Sequence, residues 1–537
     1  MMRLPARSLR VIIAVAAGLS VALVAGCGAA KPSAGGGKAL TAVDPYGGNL
    51  AAEGTPKRGG TLVLGEDREI VSFDPTVQNA NLAANAVYDP LMRFTPDGSV
   101  APYLARAMDS ADGGRTWRMG LRPGVRFSDD TPLDAQAVVV NTQRHIDKAS
   151  SPAHAYAVKI QSMRAVDPLT VEFTLRAPLG DFPVLFAQSI FNGTLGLIIS
   201  PAALAKYGAD IGRHPVGAGL FVLASWTRDS KLVLTRNPNY RQPGKPYLDG
   251  LEFRPLPDTE ARYASIQNGD VDLIFAAYNQ ELARAVQNPN LRIYYGPGNS
   301  GEYLFFNFSR PPFNDRAMRE AVVRAIDVNA LSRSLYNSQL VPADSLFDAS
   351  SPLHSQAASD AWPAFDPGKA RRLVDAYRAA GHDPDFSLKT TTSRQPFAEF
   401  IQAQLAAIGV KVTVQTYDLA QYSSAVVQSN DFQLGTTVAP INAPYPGVIQ
   451  LFGTGGSGNF GRYTNPRVDE LLAGAASTSD RSVRTNSYRQ VELLVNQDLA
   501  VAWLSRGYLA TITRKDVKGV ERSPSRDMLY ANTWLDR

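Results

Sequence analysis

The segment FSLKTTTSRQPFAEFIQAQLAAIGVKVTV, residues 386–414, contains a complete strand–helix–strand unit. Strands are predicted at its two ends, over residues 386–392 and 410–414. Its middle carries apolar residues at helical spacing, namely Phe397, Ile401, Leu405 and Ile408. Gly409 then ends the helix. Helices that alternate with strands indicate an α/β fold with right-handed crossovers and a largely parallel sheet.

More helices are predicted on both sides of this unit. Asn314 is expected to cap a helix, and Asp366-Pro367 to begin another. Towards the C-terminus, helices are predicted near 466–476 and 482–498, and a strand region over 500–513 follows. The chain after about residue 300 therefore forms a lobe of its own.

The chain before residue 300 is richer in strands. Residues 57–65 predict a turn and a first strand, and residues 215–275 show a further sheet pattern. Between them, residues 92–180 have the pattern of a compact α+β insert. In this insert, Thr131-Pro132 is expected to open a helix over 131–146.

The first 26 residues have the composition of a secretory signal. Three arginines lie within residues 1–10, and residues 11–26 carry no charge. The apolar run is shorter than a membrane helix needs. Residues 24–27, VAGC, resemble the lipobox of bacterial lipoproteins, which implies that Cys27 is acylated. An ordinary signal peptide with a chance cysteine is the alternative, and residues 27–57 are expected to form a tether.

Composition and motifs exclude several classes of function. The net charge of +5 falls to +2 without the three signal arginines, and no basic stripe indicates nucleic acid. A strand pattern rather than a helix follows GPGNSG (296–301), which argues against a phosphate loop. The five histidines lack metal-ligand spacing, and no GxSxG motif occurs. We therefore expect no metal, no cofactor and no enzyme activity.

Four sequence blocks resemble the peptide/nickel class (family 5) of bacterial extracellular solute-binding proteins, the receptors of ABC importers. They lie in the order expected for that family, at residues 115–139, 232–273, 304–331 and 459–472. The resemblance implies a two-lobe α/β fold of the periplasmic-binding-protein type (type II, cluster C) with an extra α+β subdomain. It also implies that the ligand is buried between the lobes.

The domain organisation follows from this resemblance and from the changes in pattern. We expect the signal peptide at 1–26 and the lipidated tether at 27–57. The folded body then divides as lobe I, 58–91 and 181–300; its subdomain, 92–180; lobe II, 301–504; and a return to lobe I, 505–537.

Candidate ligand contacts come from two segments and two tyrosines. In peptide-binding relatives, the segment matching 432–452 carries an aromatic residue and an aspartate that holds the peptide's amino group. Here Ala439 and Asn442 stand at those positions, so the usual countercharge is missing. Free-amine peptides should therefore bind weakly through this contact or use another acid. The residues proposed to contact ligand are Asn442, Asn79, Asn81, Thr436, Thr437, Ala439, Tyr445 and Tyr156.

Each of these contacts has a simpler alternative. Asn442 could stabilise a proline-rich turn, and Asn79 and Asn81 could be ordinary polar residues of a surface loop. Tyr156 and Tyr445 could simply pack in the core.

The function expected from the sequence is binding without chemistry. An exported, lipid-anchored monomer would capture a small solute, namely an oligopeptide or peptide-like molecule, and deliver it to ABC permease subunits. Membrane contact would come from the N-terminal lipid. A receptor of the same fold for an oligosaccharide or metal chelate is the first alternative, and a secreted hydrolase is the second.

Overall fold

The computed structural model describes residues 44–537 except 78–81, 97, 191–192, 277–278, 297, 337, 419–420, 442, 508–509 and 525–526. The strands are β1 Thr61–Glu66, β2 Met92–Phe94, β3 Val100–Pro102, β4 Ala105–Asp109, β5 Thr116–Leu121, β6 Ile160–Asp167, β7 Thr170–Leu175, β8 Phe221–Thr227, β9 Lys231–Arg236, β10 Gly250–Pro255, β11 Leu273–Ala276, β12 Leu291–Tyr294, β13 Asn299–Phe306, β14 Phe386–Thr391, β15 Val412–Tyr417, β16 Leu434–Ile441, β17 Val501–Arg506, β18 Ala510–Arg514, β19 Val517–Lys518 and β20 Trp534–Leu535.

The helices follow the same chain order. They are α1 Ala84–Val87, α2 Ala135–Asp147, α3 His154–Ala157, α4 Pro201–Tyr207, α5 Thr259–Asn268, α6 Asn279–Gln287, α7 Arg316–Ala325, α8 Val328–Leu335, α9 Gln356–Ala361, α10 Pro367–Ala379, α11 Gln395–Ala406, α12 Pro444–Phe452, α13 Pro466–Ser477 and α14 Arg481–Asp498. No helix of the described part of the chain is long and apolar enough to span a bilayer.

Two large sheets organise the molecule. Lobe I is built on a seven-stranded sheet of order β12-β18-β11-β1-β10-β9-β8, and lobe II on a five-stranded sheet of order β15-β14-β16-β13-β17. A four-stranded antiparallel sheet, β4-β5-β7-β6, forms a subdomain together with α2 and α3. The structure is therefore an α/β fold with two lobes and an α+β subdomain.

The chain passes between the lobes twice. It leaves the lobe I sheet after β12 to enter β13, and it returns between β17 and β18. The two crossings touch, because the Gly298 amide donates to the Gly507 carbonyl at 2.7 Å. Position 301, beside the two crossings, requires a glycine. Its φ is +151°, and a Cβ atom there would lie 2.1 Å from the Gly507 nitrogen. These close contacts hold the two connections side by side.

The prediction of a largely parallel sheet is wrong. In lobe II, β14 is parallel to β15 and β16, but β13 is antiparallel to both of its neighbours. In the described part of the lobe I sheet, the parallel pairs are β1–β10 and β1–β11, and the other pairs are antiparallel. The strand–helix–strand unit at 386–414 is parallel as predicted. Strand β13, which enters lobe II directly from the crossing after β12, runs against its neighbours, whereas β17 points the same way as β14, β15 and β16.

Two predicted helix starts lie too early, that of α2 by about three residues and that of α7 by one. Helix α2 begins after Asp134, whose carboxylate accepts the Ala137 amide at 2.8 Å, rather than at Thr131-Pro132. Helix α7 begins after Asp315, which accepts the Ala317 amide at 2.6 Å, rather than after Asn314. In both places an aspartate nearer the helix satisfies the first free amides. The predicted strand region over 500–513 is two strands, β17 and β18, in different lobes.

Candidate functional site: a cavity between the lobes

A cavity of about 870 Å³ lies between the lobes beside the two crossings, where Gly296 and Gly298 line it. Lobe I and its subdomain line it with the β2–β3 hairpin, residues 180–184 and residues 522–524. Lobe II lines it with the loop at 348–353, the segment around residue 444 and the first turns of α14. This volume is within the usual range for pockets that enclose a small ligand.

Part of the segment predicted to bind ligand lines this cavity. Tyr445 lines it, as do Ile441 and Ala443 on either side of residue 442. Ala439 pairs with Gly301 within the lobe II sheet. Four residues of the sequence-based proposal, Asn442, Asn79, Asn81 and Cys27, lie outside the described residues, and their roles stay predictions.

Three other predicted contacts lie away from the cavity wall. Thr436 is buried in the sheet, where its hydroxyl is 2.7 Å from that of Thr390. Thr437 pairs with Tyr303 across the strands β16 and β13. Tyr156 is buried in the subdomain core, and its hydroxyl accepts a hydrogen bond from Gln450 Nε2 at 2.7 Å. Tyr156 therefore connects the subdomain to lobe II.

The lobes meet directly at residues 180 and 181. The Gly180 amide donates to the Ala476 carbonyl of α13 at 2.7 Å. Next to it, the buried Asp181 carboxylate pairs with Arg484 of α14. Burial raises the pKa of Asp181 to about 7, although the nearby Arg484 guanidinium acts to lower it. The ion pair thus closes one side of the cavity with a carboxylate that is covered by protein.

The cavity wall carries charges of both signs. Among the described lining residues the acids are Asp181 and Asp348, and the bases are Arg481, Arg484 and Arg522. Within the described part of the chain no group of three or more His, Cys, Asp or Glu side chains is placed to hold a metal ion. Besides the Asp181–Arg484 pair, the described wall therefore contains one further acid and two further bases.

Asp348 belongs to an irregular loop that buried side chains hold in place. Glu492 of α14 accepts the Phe347 amide at 2.7 Å and the Ser355 amide at 2.6 Å. Arg506 of β17 donates to the Ser345 carbonyl at 2.6 Å. Burial raises the pKa of Glu492 and lowers that of Arg506.

The charged residues of the cavity had no sequence signal of their own. Asp181, Asp348, Arg484 and Arg522 belong to no motif and are up to 341 residues apart in the sequence. Their meeting depends on the way the two lobes close on each other. The only local hint was the helix pattern at 482–498, which placed Arg484 near a helix start.

Comparisons with known proteins agree with this architecture. Residues 99–459 match the family described as Bacterial extracellular solute-binding proteins, family 5 Middle. The chain is 29% identical over 466 residues to the glutathione-binding protein GsiB of Escherichia coli O1:K1, covering 81% of this chain and 87% of that protein.

Solved structures show the same fold. The periplasmic binding protein DppA from Helicobacter pylori, in complex with the peptide STSA, superposes with a TM-score of 0.74 at 23% identity, over 90% of this chain and 99% of that one. NikA from Brucella suis, in complex with Fe(III)-EDTA, gives a TM-score of 0.77 at 20% identity, over 89% of this chain and 100% of that one.

Proposed function

This chain belongs to family 5 of the bacterial extracellular solute-binding proteins, and on that premise we propose that it captures a peptide or peptide-like solute for an ABC import permease. It is a binding protein rather than an enzyme, because the family and its structural neighbours are binding proteins. The family is extracellular, so the protein acts outside the cytoplasm.

The observation that favours a peptide-like ligand is the mixed charge of the cavity wall. A peptide carries an ammonium group at one end and a carboxylate at the other, and the wall has Asp348, Arg481 and Arg522 besides the Asp181–Arg484 ion pair. The similarity to glutathione-binding proteins points in the same direction, since glutathione is a modified tripeptide. A neutral oligosaccharide carries no charged group that could complement Asp348 or the arginines of the wall.

Ligand capture is proposed to close the lobes around the two crossings. The predicted boundaries, 58–91 and 181–300 for lobe I, 92–180 for its subdomain, 301–504 for lobe II and 505–537 for the return, are part of this proposal. Connections of this kind absorb hinge motion, while the packed lobes move as units. A permease would then recognise the closed, loaded form.

The location of the protein at the membrane is a further part of the proposal. Acylation at Cys27 would anchor a monomer to the outer face of the membrane through the tether. Lipid on Cys27 would keep the receptor near its permease.

The experiment that tests this function is calorimetry on ligand-stripped protein. The panel consists of trialanine, glutathione, a maltooligosaccharide and Fe(III)-EDTA. We expect trialanine or glutathione to bind at micromolar concentration or below, with little heat from the other two. Binding of only the oligosaccharide or the chelate would overturn the proposal.

A pair of neighbouring variants locates the binding site. Thr485 lines the cavity from α14, whereas Asn486 is an exposed residue that does not line it. Thr485→Trp should fill the cavity and abolish binding, and Asn486→Trp should bind as the wild type does. Equal binding by the two variants would place the ligand elsewhere.

A further inference from the structure

We propose that the carboxylate of Asp348 receives the amino group of the ligand, so that the receptor selects solutes with a free ammonium group. The proposal deepens the proposed function and rests on it. Its basis is the position of Asp348 in the cavity, its open hydrogen-bonding capacity and the rigidity of its loop.

Asp348 is the more accessible of the two acids. The Asp181 side chain is 0% exposed, behind Arg484, whereas the Asp348 side chain is 16% exposed and lines the cavity. A ligand could reach Asp181 only by displacing the arginine that pairs with it. A ligand could reach Asp348 without breaking a close ion pair, because the cation paired with Asp348, Arg506, has its Nε 3.8 Å from Oδ2.

Asp348 also lies near the end of strand β16. Peptide-binding relatives carry an aspartate just after this strand, where this chain has Asn442. The Asp348 amide donates to Asn299 Oδ1 at 3.2 Å. Asn299 is the register partner of Ile441, the residue before position 442. The loop of Asp348 therefore runs past the neighbouring strand at the same edge of the cavity. The Asp348 carboxylate can therefore bind the amino end of a peptide, as the relatives' aspartate does, although it belongs to a different element of the fold.

The Asp348 carboxylate has hydrogen-bonding capacity left for a ligand. Its Oδ1 accepts from the amide and hydroxyl of Ser350, at 3.0 and 2.6 Å. Within the described residues, the nearest cationic atom to Oδ2 is Arg506 Nε at 3.8 Å, beyond hydrogen-bonding distance. An ionised carboxylate can accept about four hydrogen bonds. Oδ2 is therefore able to accept a bond from an ammonium group.

The local balance of charge also favours a cation. Arg506 serves three carboxylates, Asp344 at 3.5 Å, Asp348 at 3.8 Å and Glu492. Glu492 also has His354 Nδ1 at 3.8 Å, whereas Asp344 and Asp348 share Arg506. An ammonium group placed beside Asp348 would reduce the excess negative charge in a partly desolvated region, where charges interact strongly.

The loop that presents Asp348 is preorganised. The hydrogen bonds of Glu492 to the Phe347 and Ser355 amides fix the loop on both sides of Asp348. Arg506 fixes its start through the Ser345 carbonyl. Because the loop is already ordered, little conformational entropy is lost when the ligand arrives.

The test compares free and N-acetylated ligands by calorimetry. The probes are trialanine and glutathione, each with its N-acetylated form, in wild type, Asp348→Asn and Asp344→Asn. Asp344 is a matched control, because it belongs to the same loop and lies beside the same Arg506 but does not line this cavity. Wild type should bind the free forms about 10- to 100-fold more tightly than the acetylated forms, the scale of a hydrogen bond to a charged group.

In Asp348→Asn this preference should disappear, while affinity for the acetylated forms changes little. Asp344→Asn should keep the preference, and Asp348→Glu should keep most of it. An unchanged preference in Asp348→Asn, or an equal loss for free and acetylated ligands, would overturn the assignment while the proposed function stands. If neither trialanine nor glutathione binds to the wild type, the proposed function fails and the assignment fails with it.

Discussion

The contact at Gly180 is predicted to control whether the lobes can close. A Cβ atom at residue 180 would lie 2.2 Å from the Thr478 carbonyl oxygen and 2.8 Å from the Ser479 nitrogen. Both atoms are backbone atoms of lobe II, so neither can rotate away as a side chain would. Gly180→Ala should therefore push the two lobes apart.

The magnitude follows from the overlap. A carbon and an oxygen atom prefer a separation above about 3.2 Å, so the contact must open by roughly 1 Å. Overpacking of this kind costs about 1–3 kcal/mol. Since the cost falls on the closed form alone, a ligand that binds the closed form should lose roughly 5- to 150-fold in affinity.

Calorimetry and small-angle scattering measure this effect. The Gly180→Ala variant should bind glutathione or trialanine more weakly and show a larger radius of gyration than loaded wild type. Gly474→Ala is the control, since a Cβ atom at that glycine of α13 meets nothing within 4 Å. If Gly180→Ala keeps the affinity and the radius of gyration of the wild type, the contact of Gly180 with the backbone at 478–479 does not belong to the ligand-bound form.

Three further predictions concern stability, anchoring and specificity. Burial raises the pKa of Glu66 from 4.5 to about 8. The folded protein therefore retains a proton that the unfolded chain loses above pH 4.5. The free energy of unfolding should fall as pH rises from about 4.5 to 8. Glu66→Gln should therefore be more stable than wild type by up to about 5 kcal/mol at pH 9 and similar to it near pH 4.5, as thermal melts would show. Cys27→Ser should release the protein from membranes, and unchanged retention on fractionation would contradict lipid anchoring. Asn442→Asp in the Asp348→Asn background should improve the binding of free-amine peptides by about 1–3 kcal/mol. If calorimetry shows no gain, an acid at position 442 cannot replace the carboxylate of Asp348.

Much of the fold could be predicted from the sequence because its signals are local. The resemblance carried by the four blocks is confirmed by the family match over residues 99–459, and the two-lobe α/β fold is confirmed by the solved structures. Helix α10 begins after Asp366 as predicted, because the capping aspartate and Pro367 are adjacent to the helix. The direction of β13 was not predictable in this way, since it depends on where the chain re-enters the sheet from lobe I.

The charged part of the site could not be predicted, because long-range contacts place it. Asp348 faces the cavity because Glu492, 144 residues later in the sequence, holds its loop. Asp181 meets Arg484 only when the lobes are together. By contrast, Tyr445 follows a strand end within a recognisable segment and lines the cavity, while its contact with ligand stays a prediction.

Native mass spectrometry of freshly purified protein tests the central claim most directly. Protein isolated under non-denaturing conditions should carry an adduct, and fragmentation of the released molecule should identify a peptide or glutathione-like compound with a free amino group. An adduct that proves to be an oligosaccharide or a metal chelate would contradict the account.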